Sequence, residues 1–193
     1  MSASHASAQP ADDMTALVVL APELHLRNGV TVSVRTVNGE DEASIFGFLT
    51  GLTKGSRRLR FFSAAVDLRI EARRGAAGDD SDHHGLLAIA PRRGVVGHAV
   101  YVRAPDTERA EVAVEVADDF HHLGLATQLV IRLAQLAEQR QITCFFAEVL
   151  PENRDMLAVF RDGFAASTHS HQDEVDVEFP TSRWRAAHAL FEP

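Results

Sequence analysis

Apolar and polar positions along this chain set out its elements one after another. Val30, Val32 and Val34 alternate with Thr31, Ser33 and Arg35, the two-residue period of a strand. Asn38-Gly39-Glu40-Asp41 opens a helix running to about Leu52, with Ala43, Ile45, Phe46 and Leu49 on one face. Lys54-Gly55-Ser56 breaks it, and Arg57-Arg58-Leu59-Arg60-Phe61-Phe62 begins a second helical or irregular segment. Gly75–Asp82 is a polar, glycine-containing loop. Leu86–Ala90 and Val95–Val102 follow as two strands joined by Pro91-Arg92-Arg93-Gly94, a hairpin signal. Residues 110–117 make a further strand, with Val112, Val114 and Val116 on one face and Glu111, Ala113 and Glu115 on the other.

The clearest element is a helix from about Gly124 to Arg140, where Leu125, Leu129, Leu133 and Leu136 recur at helical spacing. Thr143–Val149 is a nearly continuous apolar run, as expected of a strand covered on both faces. Pro151-Glu152-Asn153 starts a short helix with Met156, Leu157 and Phe160 on its apolar face, capped by Asn153 and stopped by Gly163. Val175, Val177 and Phe179 alternate as a last strand. Such mixing predicts an α/β sandwich with a largely antiparallel sheet and at least one parallel crossover. Residues 1–24 read as a flexible N-terminal extension, 25–182 as one domain, and 183–193, which holds the only tryptophan, as a C-terminal tail.

Composition narrows the function. Apolar residues make up 46% of the 193, enough for a sizeable core. The net charge of −8 argues against general binding to nucleic acid. Lys54 is the only lysine, and the richness in Arg and Ala is most simply a genomic bias. With Cys144 as the single cysteine no internal disulfide exists, and its apolar neighbours mark it as a buried strand residue. No run reaches the ~18 apolar residues of a membrane span. The short apolar stretch Met14–Pro22 follows Asp12 and Asp13, where a secretory signal would carry positive charge, so a cytoplasmic protein is expected.

The chemistry concentrates at 111–127. A strand, a short glycine-containing loop and the start of an amphipathic helix point unpaired backbone N–H groups, and the positive end of the helix dipole, at whatever lies above the loop. That is a place for a phosphate-bearing ligand.

These residues resemble the GNAT superfamily of N-acyltransferases, and more narrowly the acyltransferase module of bacterial protein-lysine acetyltransferases. The resemblance spans roughly residues 28–180. The family's Gln/Arg-x-x-Gly-x-Gly/Ala motif stands here as His121-His122-Leu123-Gly124-Leu125-Ala126, followed by Thr127. A second signature runs from Ala147-Glu148-Val149-Leu150-Pro151-Glu152-Asn153 into Arg161-Asp162-Gly163-Phe164. The resemblance implies a three-layer fold with a mixed, mostly antiparallel sheet of about six or seven strands and about four helices, splayed to form a V-shaped acyl-CoA cleft. It implies acetyl-CoA as cosubstrate, pantetheine paired with backbone near Val114–Val116, diphosphate over His121, His122, Leu123, Gly124, Leu125, Ala126 and Thr127, and Asn153 as a contact to the carrier or merely a cap. It further implies Glu111 as general base, with Glu115 in reserve.

Two positions depart from the pattern. His121 stands where Gln or Arg helps hold phosphate, and Phe160 stands where many relatives carry a tyrosine acid; the protein-lysine subgroup tends to lack that tyrosine. The histidine pairs His83-His84 and His121-His122, with His169 and His171, lack further ligands at metal-binding spacing, so no metal is expected. The acceptor implied is an amine, a protein lysine or a small amine, with the protein a monomer or homodimer. Alternatives are a non-catalytic acyl-CoA sensor and a structural module without ligand.

Overall fold

A computed structural model describes residues 22–63, 65–77 and 79–191. Among the described residues eight strands form one open sheet: β1 (Glu23–His25), β2 (Thr31–Thr36), β3 (His83–Ala90), β4 (Gly94–Arg103), β5 (Arg109–Val116), β6 (Cys144–Val149), β7 (Ser167–Ser170) and β8 (Val175–Pro180). Their order is β1-β2-β3-β4-β5-β6-β8-β7. Every pairing is antiparallel except β5 with β6. Six α-helices among the described residues accompany them: α1 (Glu42–Gly51), α2 (Lys54–Phe61), α3 (Leu68–Gly75), α4 (Leu125–Gln139), α5 (Arg154–Ala158) and α6 (Trp184–His188).

α4 buries Leu125, Leu129, Val130 and Leu133 against one face of the sheet. α1 buries Ile45, Phe48 and Leu49 on the other, with α3 beside it. α1 follows a short 3-10 turn, where Asn38 and Asp41 complete a reciprocal capping box. Past β6, Phe160 and Phe164 pack at a tilt against Phe179, and Phe179 meets Phe145 edge-on. α5 runs on into a π-turn over Val159–Gly163 rather than ending directly at the glycine.

Four differences from the sequence expectation have physical causes. β1 and β7 add two strands; they are three and four residues long, too short to show a period. The expected helical or irregular segment is the helix α2, whose first turn is the expected break Lys54-Gly55-Ser56, and α3 is added; α2 buries no side chain and α3 only Ala72 and Gly75, so neither has an apolar face to read. β6 is not covered on both sides: Phe145, Ala147 and Val149 are buried while Cys144 and Phe146 are half-buried and Glu148 is exposed. The expected C-terminal tail carries α6, which packs on α4 with the Trp184 indole donating to Glu138 at 2.7 Å. At the other end β1 begins at Glu23; the remainder of the expected N-terminal extension, residues 1–21, lies outside the described residues.

Candidate active site

β5 and β6 pair over only three positions, Arg109 with Cys144, Ala110 with Phe145, and Glu111 with Phe146, and then part. The backbone of β5 beyond Glu111 can be oriented from its other neighbour. Ala117 N–H donates to Val96 O at 2.8 Å, in register with the unbroken β4–β5 ladder, so the odd-numbered residues Ala113 and Glu115 exchange hydrogen bonds with β4. Antiparallel pairs alternate, so Val112, Val114 and Val116 turn their N–H and C=O groups the opposite way, toward β6. Past Glu111, β6 is no longer there to meet them. A cavity of about 670 Å³ opens here, bordered by Glu111, Val114, Val116, Gly124, Thr127 and Asn153. That size lies within the range of small-molecule sites.

The loop at the head of α4 closes one end. His122 and Gly124 both have left-handed backbone, φ 60° and 85°, which turns successive N–H groups to one side ahead of a helix N-terminus. Only glycine is comfortable at 124, because a Cβ there would lie 2.8 Å from the Phe191 ring. The His121 ring nitrogen Nε2 sits 3.0 Å from Val116 O and serves the end of β5. His122 Nε2 lies 3.5 Å from Asp155. Leu123 packs partly on the core and its carbonyl accepts from Arg27 N–H. Leu125 is buried, while Ala126 and Thr127 stay at the cavity wall. Asn153 borders the cavity and also caps α5, its side chain accepting from Met156 N–H at 3.3 Å.

The two candidate glutamates share a sheet face and differ in surroundings. Glu115 is 7% exposed. Its Oε1 accepts from His98 Nδ1 at 2.6 Å and its Oε2 from Arg60 Nε at 2.7 Å. Burial pushes its pKa up, but the Arg60 and His98 charges and hydrogen bonds outweigh this and hold it at about 2. Both oxygens are engaged, which makes Glu115 a poor proton acceptor. Glu111 is exposed at the cavity, at the last paired residue before the strands part. On the facing strand Glu148 borders the same cavity; burial, then the charges of Glu174, Glu111 and Asp176, push its pKa up. Glu148, Glu174 and Asp176 bring carboxylate oxygens within 4.8 Å of one another, an acidic rim beside Glu111.

α2 bridges the opening. Arg60 reaches Glu115 on β5, Arg58 pairs with Glu152 after β6, and Thr53 and Ser56 hold Asp118.

The other candidates disperse. His84 bonds Asp79, and His171 bonds Asp176, so the histidine pairs occupy separate places. Tyr101 is buried on β4, its hydroxyl accepting from Arg140 at 2.9 Å. Cys144 is half-buried on the strand; burial, then Glu178, pushes its thiol up to about 11. The thiolate is the reactive form. Iodoacetamide at neutral pH is therefore expected to leave Cys144 largely unlabelled in intact-mass spectra, and Cys144→Ala to retain acetyl transfer.

The sheet, its parting strands and the αL loop before α4 define a class of protein, and the comparisons agree. The acetyltransferase (GNAT) family matches residues 53–164, and the chain belongs to this family. It is an N-acetyltransferase whose cosubstrate is acetyl-CoA. The GNAT domain of Streptomyces lividans PAT has a similar structure, with a TM-score of 0.74 and 28% identity over 82% of this chain and 95% of that one. A cAMP-binding acyltransferase from Mycobacterium smegmatis is similar in fold at 23% identity and TM-score 0.59; the match covers 82% of this chain and 46% of that longer one. Spermidine N-acetyltransferase from Vibrio cholerae, solved with CoA and spermine, shares the fold at 12% identity and TM-score 0.64, over 80% of this chain and 98% of that one. No helix among the described residues is long and apolar enough to cross a membrane.

His98 escaped the sequence reading, and so did the pairing of Arg60 with Glu115. His98 interrupts the apolar run Val95–Val102 directly opposite Glu115, and that interruption was the available signal.

Proposed function

We propose that this chain transfers acetyl from acetyl-CoA directly to an amine within a ternary complex, with Glu111 as general base. A lysine-type amine of pKa near ~10.4 is mostly protonated at neutral pH and must lose a proton before it attacks. Glu111 takes that proton, directly or through one water. The nitrogen bonds to the thioester carbon, the C–S bond breaks, and CoA leaves as thiolate. The N–H of Val114, directed into the opening, stabilises the developing oxyanion without a dedicated side chain. A thiol of pKa near ~8.5 leaves without an acid, which accords with Phe160 at the position of the family tyrosine. Glu115 is assigned a structural role.

The observation that carries this reading is the position of Glu111 where β5 and β6 part, next to backbone groups turned to the cavity. The acidic rim of Glu148, Glu174 and Asp176 supports a cationic acceptor. Likeness to the S. lividans PAT domain favours a protein lysine over a small polyamine.

Mass spectrometry after incubation with isotopically labelled acetyl-CoA, lysine-containing proteins and a set of small amines tests the acceptor. Label on protein lysines supports the reading, and label confined to small amines refutes the protein acceptor. Acetyl-CoA at about 100 times its dissociation constant is expected to stabilise the fold by roughly 2.7 kcal/mol. That shift is readily seen in a melting curve, and its absence would exclude a carrier site.

A further inference from the structure

The loop that leads into α4 holds no lysine or arginine from Ala117 to Thr127, and carries Asp118 and Asp119 instead. His121, which stands in place of the family's Gln or Arg, is engaged with Val116 O. A dianionic diphosphate on this loop would have backbone N–H groups but no fixed positive side chain from the loop itself. Among the described residues three arginines border the cavity. Arg60 is paired with Glu115 and Arg74 with Glu71. Arg27, from the turn between β1 and β2, has no carboxylate partner among the described residues.

Arg27 is nonetheless fixed in place. Its N–H donates to Leu123 O at 3.3 Å, which ties the β1–β2 turn to the α4 loop. Its Nε lies 3.8 Å from the point a Gly124 Cβ would occupy. The guanidinium carbon stands 5.9 Å from the centre of the Phe191 ring, within reach of a cation–π contact. Phe191 comes from the segment after α6 and lies over Gly124.

We propose that Arg27 supplies the positive charge the loop lacks and binds the carrier's diphosphate, with Phe191 as the positioning residue that holds the guanidinium toward Gly124. The assignment rests on the carrier lying in the cleft as described above. A planar guanidinium offers paired donors that suit phosphate oxygens.

Calorimetric titration of wild type, Arg27→Ala and Phe191→Leu with CoA, 3′-dephospho-CoA and pantetheine tests it. Arg27→Ala is expected to weaken CoA and 3′-dephospho-CoA alike, on the order of tenfold, and to leave pantetheine unchanged. Phe191→Leu is expected to show the same ligand pattern with a smaller loss. Melting temperatures of both variants without ligand should match wild type. Unchanged CoA affinity in Arg27→Ala overturns the assignment, as does a loss shared by pantetheine or one limited to CoA with its 3′-phosphate. Tighter CoA binding by Phe191→Leu overturns it too, because the ring would then stand in the carrier's place. Wild type without affinity for CoA would instead defeat the cleft itself, a result distinct from failure of Arg27.

Discussion

Glu111→Gln is expected to lower kcat for acetyl transfer by about 10²–10³-fold while leaving the acetyl-CoA dissociation constant within about twofold of wild type. The side chain is isosteric and exposed, so the fold has no reason to notice the change. What disappears is the proton acceptor at the point where the strands diverge. A pH–rate profile sharpens the test. Removing the base should make the residual rate climb with pH as the free amine fraction rises. A variant that keeps wild-type turnover would remove Glu111 from the chemistry and return the sensor reading to contention. Measured beside it, Glu115→Gln should keep detectable turnover where the protein is folded.

Glu115→Gln carries the largest expected stability change. Glu115 pairs with Arg60 and accepts from His98 in the packed layer between β5, α2 and α3, and its removal leaves two donors without their carboxylate. Breaking a buried ion pair costs about 3–5 kcal/mol, and the lower end applies because the Arg60 side chain is 26% exposed. The pH dependence has a definite sign. The folded pKa is depressed from 4.5 to about 2. The stabilisation is therefore complete above pH 4.5 and fades as pH falls toward 2. Urea melts at pH 7 should separate wild type from variant by about 3 kcal/mol, and the gap should close below pH 4.5. A gap that stays constant down to pH 3 would show that the carboxylate charge is not its source.

Much of the cleft was legible because its parts are periodic. The two-residue alternation of Arg109–Val116 and the leucine spacing of α4 locate the loop between them, and the glycine at its end marks the αL turn. The partners that complete the site were not legible. Arg60 lies 55 residues from Glu115, and Phe191 meets Gly124 from the far end of the domain. Such contacts exist only once the sheet and helices are assembled. α2 was only half legible for a related reason: it is attached by ion pairs and a hydrogen-bonded aspartate rather than by an apolar stripe, so its sequence reads as helical or irregular without deciding between them. Gly75 belongs with these, since its need for no side chain comes from the His98 ring, 2.9 Å from where a Cβ would sit.

The early parting of β5 from β6 puts a strand margin in the interior of a sheet rather than at its border. Border strands recruit strands of other molecules, and proteins shield them with charge or brevity. Here the margin is shielded by position: α2 and the head of α4 stand over it. A whole foreign strand with side chains on both faces is too bulky for that slot. A slender chain of amides and methylenes is not, so the same enclosure that guards the fold against aggregation also selects the shape of what enters.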